Sequence, residues 1–246
     1  MELQKKLLRT LSETCKRYQL LSDGDRVLVA LSGGKDSLAL LDLLALRSRI
    51  LKPRFQLEAA FVRMANIAYA SDEPYLRRFA ESRGVPLHVL DAHFDPTTDH
   101  RRQPCFLCAW NRRKQLFQLA QRLGCNKIAL GHHKDDIMQT ALLNLTFAGQ
   151  FSSMRPLMQM DKFPMTLIRP LCLMRESLLR DYALQQGFTL QKKVCPYDTA
   201  TRRADMRDIA ARLEALNPEL EYSLWHALEA AHRPAQPSAQ SPSDGE

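Results

Sequence analysis

The chain has 246 residues, is 45% hydrophobic and 25% charged, and carries a formal charge of +8. Those values suit a soluble chain with one large buried core, alone or with a small appendage, and the excess of Lys and Arg favours a polyanionic partner. No apolar run is long enough to span a membrane and the first nine residues lack the apolar stretch of a leader, so no membrane association and a cytoplasmic location are expected.

The elements alternate along the chain. Residues 2–20 predict an amphipathic helix, with Leu3, Leu7, Leu8, Leu11 and Tyr18 on one side, ended by Ser22-Asp23-Gly24-Asp25. Residues 27–31 predict a strand buried on both faces, followed by a glycine loop at residues 32–37 and a Leu-rich helix over 38–46. A strand over 57–62 leads to Ser71-Asp72-Glu73-Pro74, a helix start with a cap, acidic first-turn residues and an early proline. That helix is expected to end near Gly84. A strand over 87–90, a polar loop over 91–104 and a helix from about 106 to 123 follow. Next come a strand at 128–130, a helix over 135–147, a strand at 166–168 and a helix over 176–186. Two further helices, about 204–216 and 219–232, precede a Pro, Ser and Gln-rich tail that is expected to be disordered. The pattern predicts an α/β fold, a doubly wound parallel sheet with flanking N- and C-terminal helices. The expected parts are an N-terminal helix (1–22), a central domain (23–220), a C-terminal helix (221–232) and the tail (233–246). Ligands of such sheets sit at the carboxyl ends of the strands, so the loops after the strands are expected to converge on one rim.

Three of those loops carry chemistry. Ser32-Gly33-Gly34-Lys35-Asp36-Ser37 joins a strand to a helix. Glycines let backbone N–H groups approach phosphate oxygens, the helix start favours an anion, Ser32 and Ser37 offer hydroxyl donors, and Lys35 offers a cation to developing charge. Asp36, an anion among anions, calls for Mg²⁺ or an outward orientation. The spacing is neither GxxxxGK nor GxGxxG. Gly131-His132-His133-Lys134-Asp135-Asp136 is the second loop. Its carboxylates, Asp135 and Asp136, suit either a helix cap or a hard metal beside nucleotide phosphates. The third is Pro104-Cys105-Phe106-Leu107-Cys108, whose cysteine spacing suits one metal or cluster, with a redox dithiol as the alternative. Cys195, in a polar loop beside Pro196, is the first candidate for a third ligand and Cys172 the second. Cys15 and Cys125 lie among apolar residues and read as packing.

The glycine loop after its apolar strand resembles the PP-loop of ATP pyrophosphatases, which split ATP between the α and β phosphates and pass AMP to a substrate. The ordered set of SGGKDS, PCxxC before an Arg-rich helix, GHHxDD, Ile168-Arg169-Pro170-Leu171 and a late cysteine resembles the tRNA 2-thiocytidine synthetase family of that superfamily. The resemblance spans about residues 3–220 and makes the central domain an ATPase and thiolation unit with the CxxC segment inserted. It implies adenylation of a cytidine, expected at tRNA position 32, and replacement of its 2-oxygen by sulfur from a [4Fe-4S] cluster. It implies Lys35, Asp36 and Asp135 as catalytic residues. ATP would be held by residues 32–37 with Gly131, His132 and Asp136, aided by Mg²⁺, and the cluster by Cys105, Cys108 and Cys195. The implied partners are tRNA and a sulfur donor such as a cysteine desulfurase, with room for a homodimer. Arg101, Arg102, Arg112, Arg113 and Lys114 flank the cysteine pair, and Arg202, Arg203 and Arg207 follow Cys195. Both clusters are expected to meet tRNA phosphates. The sequence departs from the family in lacking an acidic residue soon after the strand through Phe61 and a second cysteine beside Cys195. A lysidine synthetase, a tRNA 2-thiouridine synthetase and a metal-binding RNA adaptor remain as alternatives.

Overall fold

The computed structural model describes residues 2–65, 69–70, 72–93, 95, 104–160, 164–193 and 202–231. In chain order the elements are α1 (Glu2–Arg17), β1 (Arg26–Ala30), α2 (Lys35–Ser48), β2 (Gln56–Met64), β3 (Tyr69–Ala70), α3 (Glu73–Glu81), β4 (Leu87–Ala92), α4 (Pro104–Arg122), β5 (Lys127–Ala129), α5 (Lys134–Ala148), β6 (Leu157–Gln159), β7 (Thr166–Ile168), α6 (Glu176–Gln185), β8 (Lys192–Lys193), α7 (Arg202–Leu216) and α8 (Leu220–Ala231). Two compact units emerge, one formed by residues 1–137 with 154–201, the other by residues 138–153 with 202–246.

The first unit contains a six-stranded sheet in the order β4-β2-β1-β5-β7-β6. Its pairs are parallel except for β6 against β7. Both faces are covered, as the apolar runs require. Val27 and Val29 of β1 and Ala59 and Phe61 of β2 pack with α1, α2, α3 and α6. The alternate residues Leu28, Ala60, Val62 and Met64 pack with Leu116, Leu119 and Ala120 of α4. The period of two along each strand therefore divides one apolar run between two cores. Asp72 caps α3 as its sequence predicts, its Oδ1 accepting the Tyr75 N–H at 2.8 Å.

Three short strands go beyond the sequence reading. Thr166–Ile168 recruits Leu157–Gln159 as an antiparallel neighbour, and Tyr69–Ala70 pairs with Lys192–Lys193 in a separate two-stranded ribbon. Two or three residues carry no periodicity, and paired lysines give no apolar signal, so only tertiary pairing reveals them. In the second unit, α7 and α8 meet at Asn217-Pro218, where the Asn217 side chain accepts the Glu219 N–H at 3.0 Å. In the same unit Asn144, near the end of α5, donates to the Ser152 carbonyl at 2.9 Å. No helix among the described residues is long and apolar enough to cross a membrane.

Candidate nucleotide and sulfur-transfer site

The strand order reverses between β1 and β5, because the chain leaves β1 toward β2 and β4 and later returns on the other side. Open parallel sheets bind ligands at such a switch point. The loop after β1 is residues 31–34 and the loop after β5 is residues 130–133, so the first two motifs flank the crevice. Their backbones touch. A Cβ added to Gly131 would lie 3.2 Å from both the Asp36 carbonyl carbon and the Ser37 nitrogen, tighter than ordinary contact.

The glycine loop is braced from within. The Ser37 hydroxyl donates to the Gly34 carbonyl at 2.9 Å and accepts the Ser32 N–H at 3.1 Å. The Ser32 hydroxyl donates to Ser37 Oγ at 3.1 Å. Ser37 is buried, and these bonds engage its hydroxyl in shaping the loop. Gly33 has φ of +78° and its carbonyl accepts the Gln191 N–H at 2.9 Å. Gly34 is the N-cap of α2, with an ordinary φ of −80°.

Lys35 lies between two carboxylates. Its Nζ is 3.0 Å from Asp36 Oδ2 and 2.9 Å from Glu176 Oε1. Burial works against its charge, but those partners outweigh it and raise its pKa. Glu176 opens α6, and its N–H donates to Asp135 Oδ2 at 2.7 Å. Asp135 thus caps α6 from across the crevice and links the second motif to the first through Glu176. Asp136 turns back to accept the His133 N–H at 3.1 Å. His133 is buried, its Nδ1 3.5 Å from Asp135 and its Nε2 3.4 Å from Asp136, contacts that are electrostatic at that length. Burial disfavours its charge, yet Asp135, Asp136 and Asp36 together raise its pKa. Burial also opposes ionisation of Asp135, but His133, the Glu176 amide and Arg175 hold its carboxyl down at about 2. Asp36 goes the other way. Burial and Asp136 push its pKa up, against Lys35 and His133.

The cysteine pair occupies the first turn of α4, with Cys105 exposed and Cys108 partly buried. A spacing of three brings the two side chains to adjacent positions on a helix. Two turns further on, Arg112 and Leu116 of the same helix line a pocket with Leu31, Ser32 and Phe61. The cysteine helix therefore packs beside the start of the glycine loop.

The geometry accords with the comparisons. A model described as the PP-loop domain matches residues 2–213. Proteins named tRNA-cytidine(32) 2-sulfurtransferase are 36% identical in Geobacter sulfurreducens, covering 91% of this chain and 89% of that protein, and 34% identical in Pelobacter propionicus, covering 93% and 86%. This chain belongs to the PP-loop tRNA-cytidine(32) 2-sulfurtransferase family. Among solved structures it is similar to the U34-tRNA thiolase NcsA from Methanococcus maripaludis with its [4Fe-4S] cluster, at 26% identity and a TM-score of 0.77 over 96% of this chain and 81% of that one.

As a PP-loop protein it has a donor set that fits Mg·ATP. Among the described residues Asp36 Oδ1 is buried and has no hydrogen-bond partner, which suits a carboxylate that takes a cation. Gly34 has a φ any residue adopts, and an added Cβ would meet only Ser32 Oγ, at 3.5 Å. The fold itself does not demand glycine there, so the space fits the approach of phosphate. Among the described residues no three His, Cys, Asp or Glu side chains form a metal cluster. Cys105 and Cys108 fit two ligands of an iron–sulfur cluster. Cys195 lies outside the described residues, as do Arg101 and Arg102. Cys172 does not fit, because it is fully buried and burial pushes its thiol up to about 12.

The basic residues of α4 separate. Arg112 faces the pocket, whereas Arg113 and Lys114 are exposed, Lys114 lying 5.4 Å over the Trp110 ring. Arg202 and Arg203 open α7, their side chains outside the described set, and Arg207 is exposed. Two site residues, Glu176 and Gln191, escaped the sequence reading, and Arg169 entered it only as part of the Ile168-Arg169-Pro170-Leu171 motif. Arg169 is buried, donating from Nε to His132 Nδ1 at 3.3 Å and from Nη1 to the Arg155 carbonyl at 2.5 Å. Burial lowers its pKa to about 10, so it stays charged at neutral pH. A guanidinium cannot accept, so His132 keeps a bare Nδ1 and carries its proton on Nε2. Only the Arg-Pro-Leu sequence near the end of a strand hinted at this residue.

Proposed function

We propose that this protein is an ATP-dependent tRNA sulfurtransferase that adenylates cytidine 32 and replaces its 2-oxygen with sulfur. The observation that carries the reading is the meeting, at one strand switch point, of the braced glycine loop, the Asp135–Glu176–Lys35 chain and the helix that bears Cys105 and Cys108. The loop amides and Lys35 bind the triphosphate, and Lys35 offsets charge that develops as pyrophosphate leaves. Asp36, with Asp136 near it, would hold Mg²⁺, which supplies further charge neutralisation on the phosphates. His132, locked in one tautomer by Arg169, presents an N–H donor to the nucleotide. The base oxygen attacks the α-phosphate, because a ring carbonyl oxygen leaves only once it is esterified to AMP. Cys105, Cys108 and Cys195 would hold a [4Fe-4S] cluster, whose chemistry when bound is to carry the sulfur. The exposed Arg113 and Lys114 meet the tRNA backbone, and an unpaired loop base is reachable without opening a duplex. A cysteine desulfurase supplies the sulfur, and the cytoplasm is where these partners occur.

The test is anaerobic reaction of the iron-loaded chain with ATP, Mg²⁺, sulfide and tRNA. Pyrophosphate, AMP and 2-thiocytidine are expected in equal amounts. Pyrophosphate with lysidine would replace this reading by lysidine synthesis, and 2-thiouridine would move the target base. Absence of pyrophosphate in every condition would reduce the chain to an RNA adaptor.

A further inference from the structure

Lys35 is the cation of the glycine loop, yet in the folded chain it is neutralised twice, by Asp36 at 3.0 Å and by Glu176 at 2.9 Å. The two partners differ in kind. Asp36 follows Lys35 on the same helical turn and moves with it, so it is a constant part of the lysine's surroundings. Glu176 comes from α6, and its carboxylate reaches Lys35 from another element.

The backbone and the carboxylate of Glu176 meet different groups. Its N–H is held by Asp135 Oδ2 at 2.7 Å, which compensates for an N-cap, Arg175, that offers no side-chain bond. The Glu176 side chain is 33% exposed, so the carboxylate has water to swing into when a stronger anion arrives. That partial exposure also keeps the pair weak enough to exchange.

We propose that Glu176 is the exchangeable counter-ion of Lys35: it yields the ammonium to the phosphates of bound nucleotide and competes for it again when pyrophosphate must leave. The proposal rests on the ATP-cleaving reading and adds a residue that positions the lysine and limits product affinity. A lysine bare of Glu176 would hold pyrophosphate more tightly without lowering the barrier to its formation, since binding that is equal before and after the reaction does not speed it. Release of product is a frequent brake on turnover. Asp135 has a defined part in this, placing Glu176 through its backbone N–H rather than through its carboxylate.

The test is titration of the full chain with Mg–pyrophosphate by calorimetry, comparing the wild type with Glu176→Gln. The glutamine keeps length and hydrogen bonding and removes the charge. Pyrophosphate is expected to bind roughly 1.5- to fivefold more tightly, the range of a partly exposed ion pair. Glu176→Asp, which retains the charge, should stay near wild type. Glu176→Ala keeps the N–H that Asp135 holds and is the second charge-free variant, so it must shift in the same direction if the glutamine variant folds poorly. A purely structural role predicts weaker binding in every variant. Equal or weaker binding in both charge-free variants, with wild-type binding intact, overturns the exchange alone. A wild-type chain that binds no Mg–pyrophosphate overturns the ATP-cleaving reading and the exchange with it.

Discussion

The two loop glycines should respond oppositely to alanine. At Gly33 an added Cβ would lie 2.2 Å from Gln191 Cγ and 2.8 Å from Gln191 Cβ, and the backbone has φ of +78°. The left-handed conformation costs alanine about 1–2 kcal/mol, and forcing the side chain of Gln191 aside adds about 1–3 kcal/mol. Gly33→Ala is therefore expected to destabilise by about 2–5 kcal/mol. In a Gln191→Gly background the colliding atoms are gone and only the backbone cost remains. The double-mutant cycle should then give a coupling of about 1–3 kcal/mol in favour of the double variant. For a chain of this size, a difference of 1 kcal/mol moves the melting temperature by about 2–4 °C, so the cycle is readable by urea unfolding and by thermal melting. Gly34→Ala is the internal control. Its Cβ meets nothing closer than 3.5 Å, so stability should hold within about 0.5 kcal/mol while ATP affinity falls. Additive losses at Gly33 and Gln191, to within about 0.5 kcal/mol, would refute the argument that Gln191 rather than phosphate fixes the first glycine.

Two further outcomes are expected. Asp135 has a folded pKa of about 2, below the ordinary 3.8, so it contributes stability above pH 4 that fades as pH falls toward 2. Asp135→Asn should cost about 2 kcal/mol at pH 6 in urea unfolding, the difference narrowing to about half at pH 3, and a gap independent of pH would contradict the ion-pair account. Cys105→Ser and Cys108→Ser should each abolish the visible absorbance and iron content of anaerobically reconstituted protein, whereas Cys172→Ser should leave both intact. Loss of iron in the Cys172 variant would mean that its burial does not exclude it from ligation.

The sequence legibly encodes the elements whose signal is local. The apolar strands, the Asp72 cap with Pro74 and the three strand-end motifs depend on neighbours within a few residues, so composition and period reveal them. Even the division of β1 between two cores follows from an uninterrupted apolar run. By contrast, the roles of individual side chains shifted once distant segments met. Ser37 read as a phosphate donor and is an internal brace. Asp135 read as a catalyst or as the cap of its own helix, and its Oδ2 accepts the first N–H of α6, a partner no sequence pattern indicated. Cys172 read as a reserve ligand and is buried.

Glu176 and Gln191 carry no motif, because a lone Glu or Gln in a sequence has no periodic or compositional mark, and Arg169 sits in Ile168-Arg169-Pro170-Leu171 with nothing in that string to show that it reaches His132. They reach the site because the strand order returns the chain to β5 and β7 and lays the segment before β8 across Gly33. The sequence by itself determined that a phosphate loop, a paired-acid loop and a cysteine pair exist and follow strands. Only the tertiary structure decided which charge faces which, since ion pairing depends on distances of about 3 Å between residues far apart in the chain.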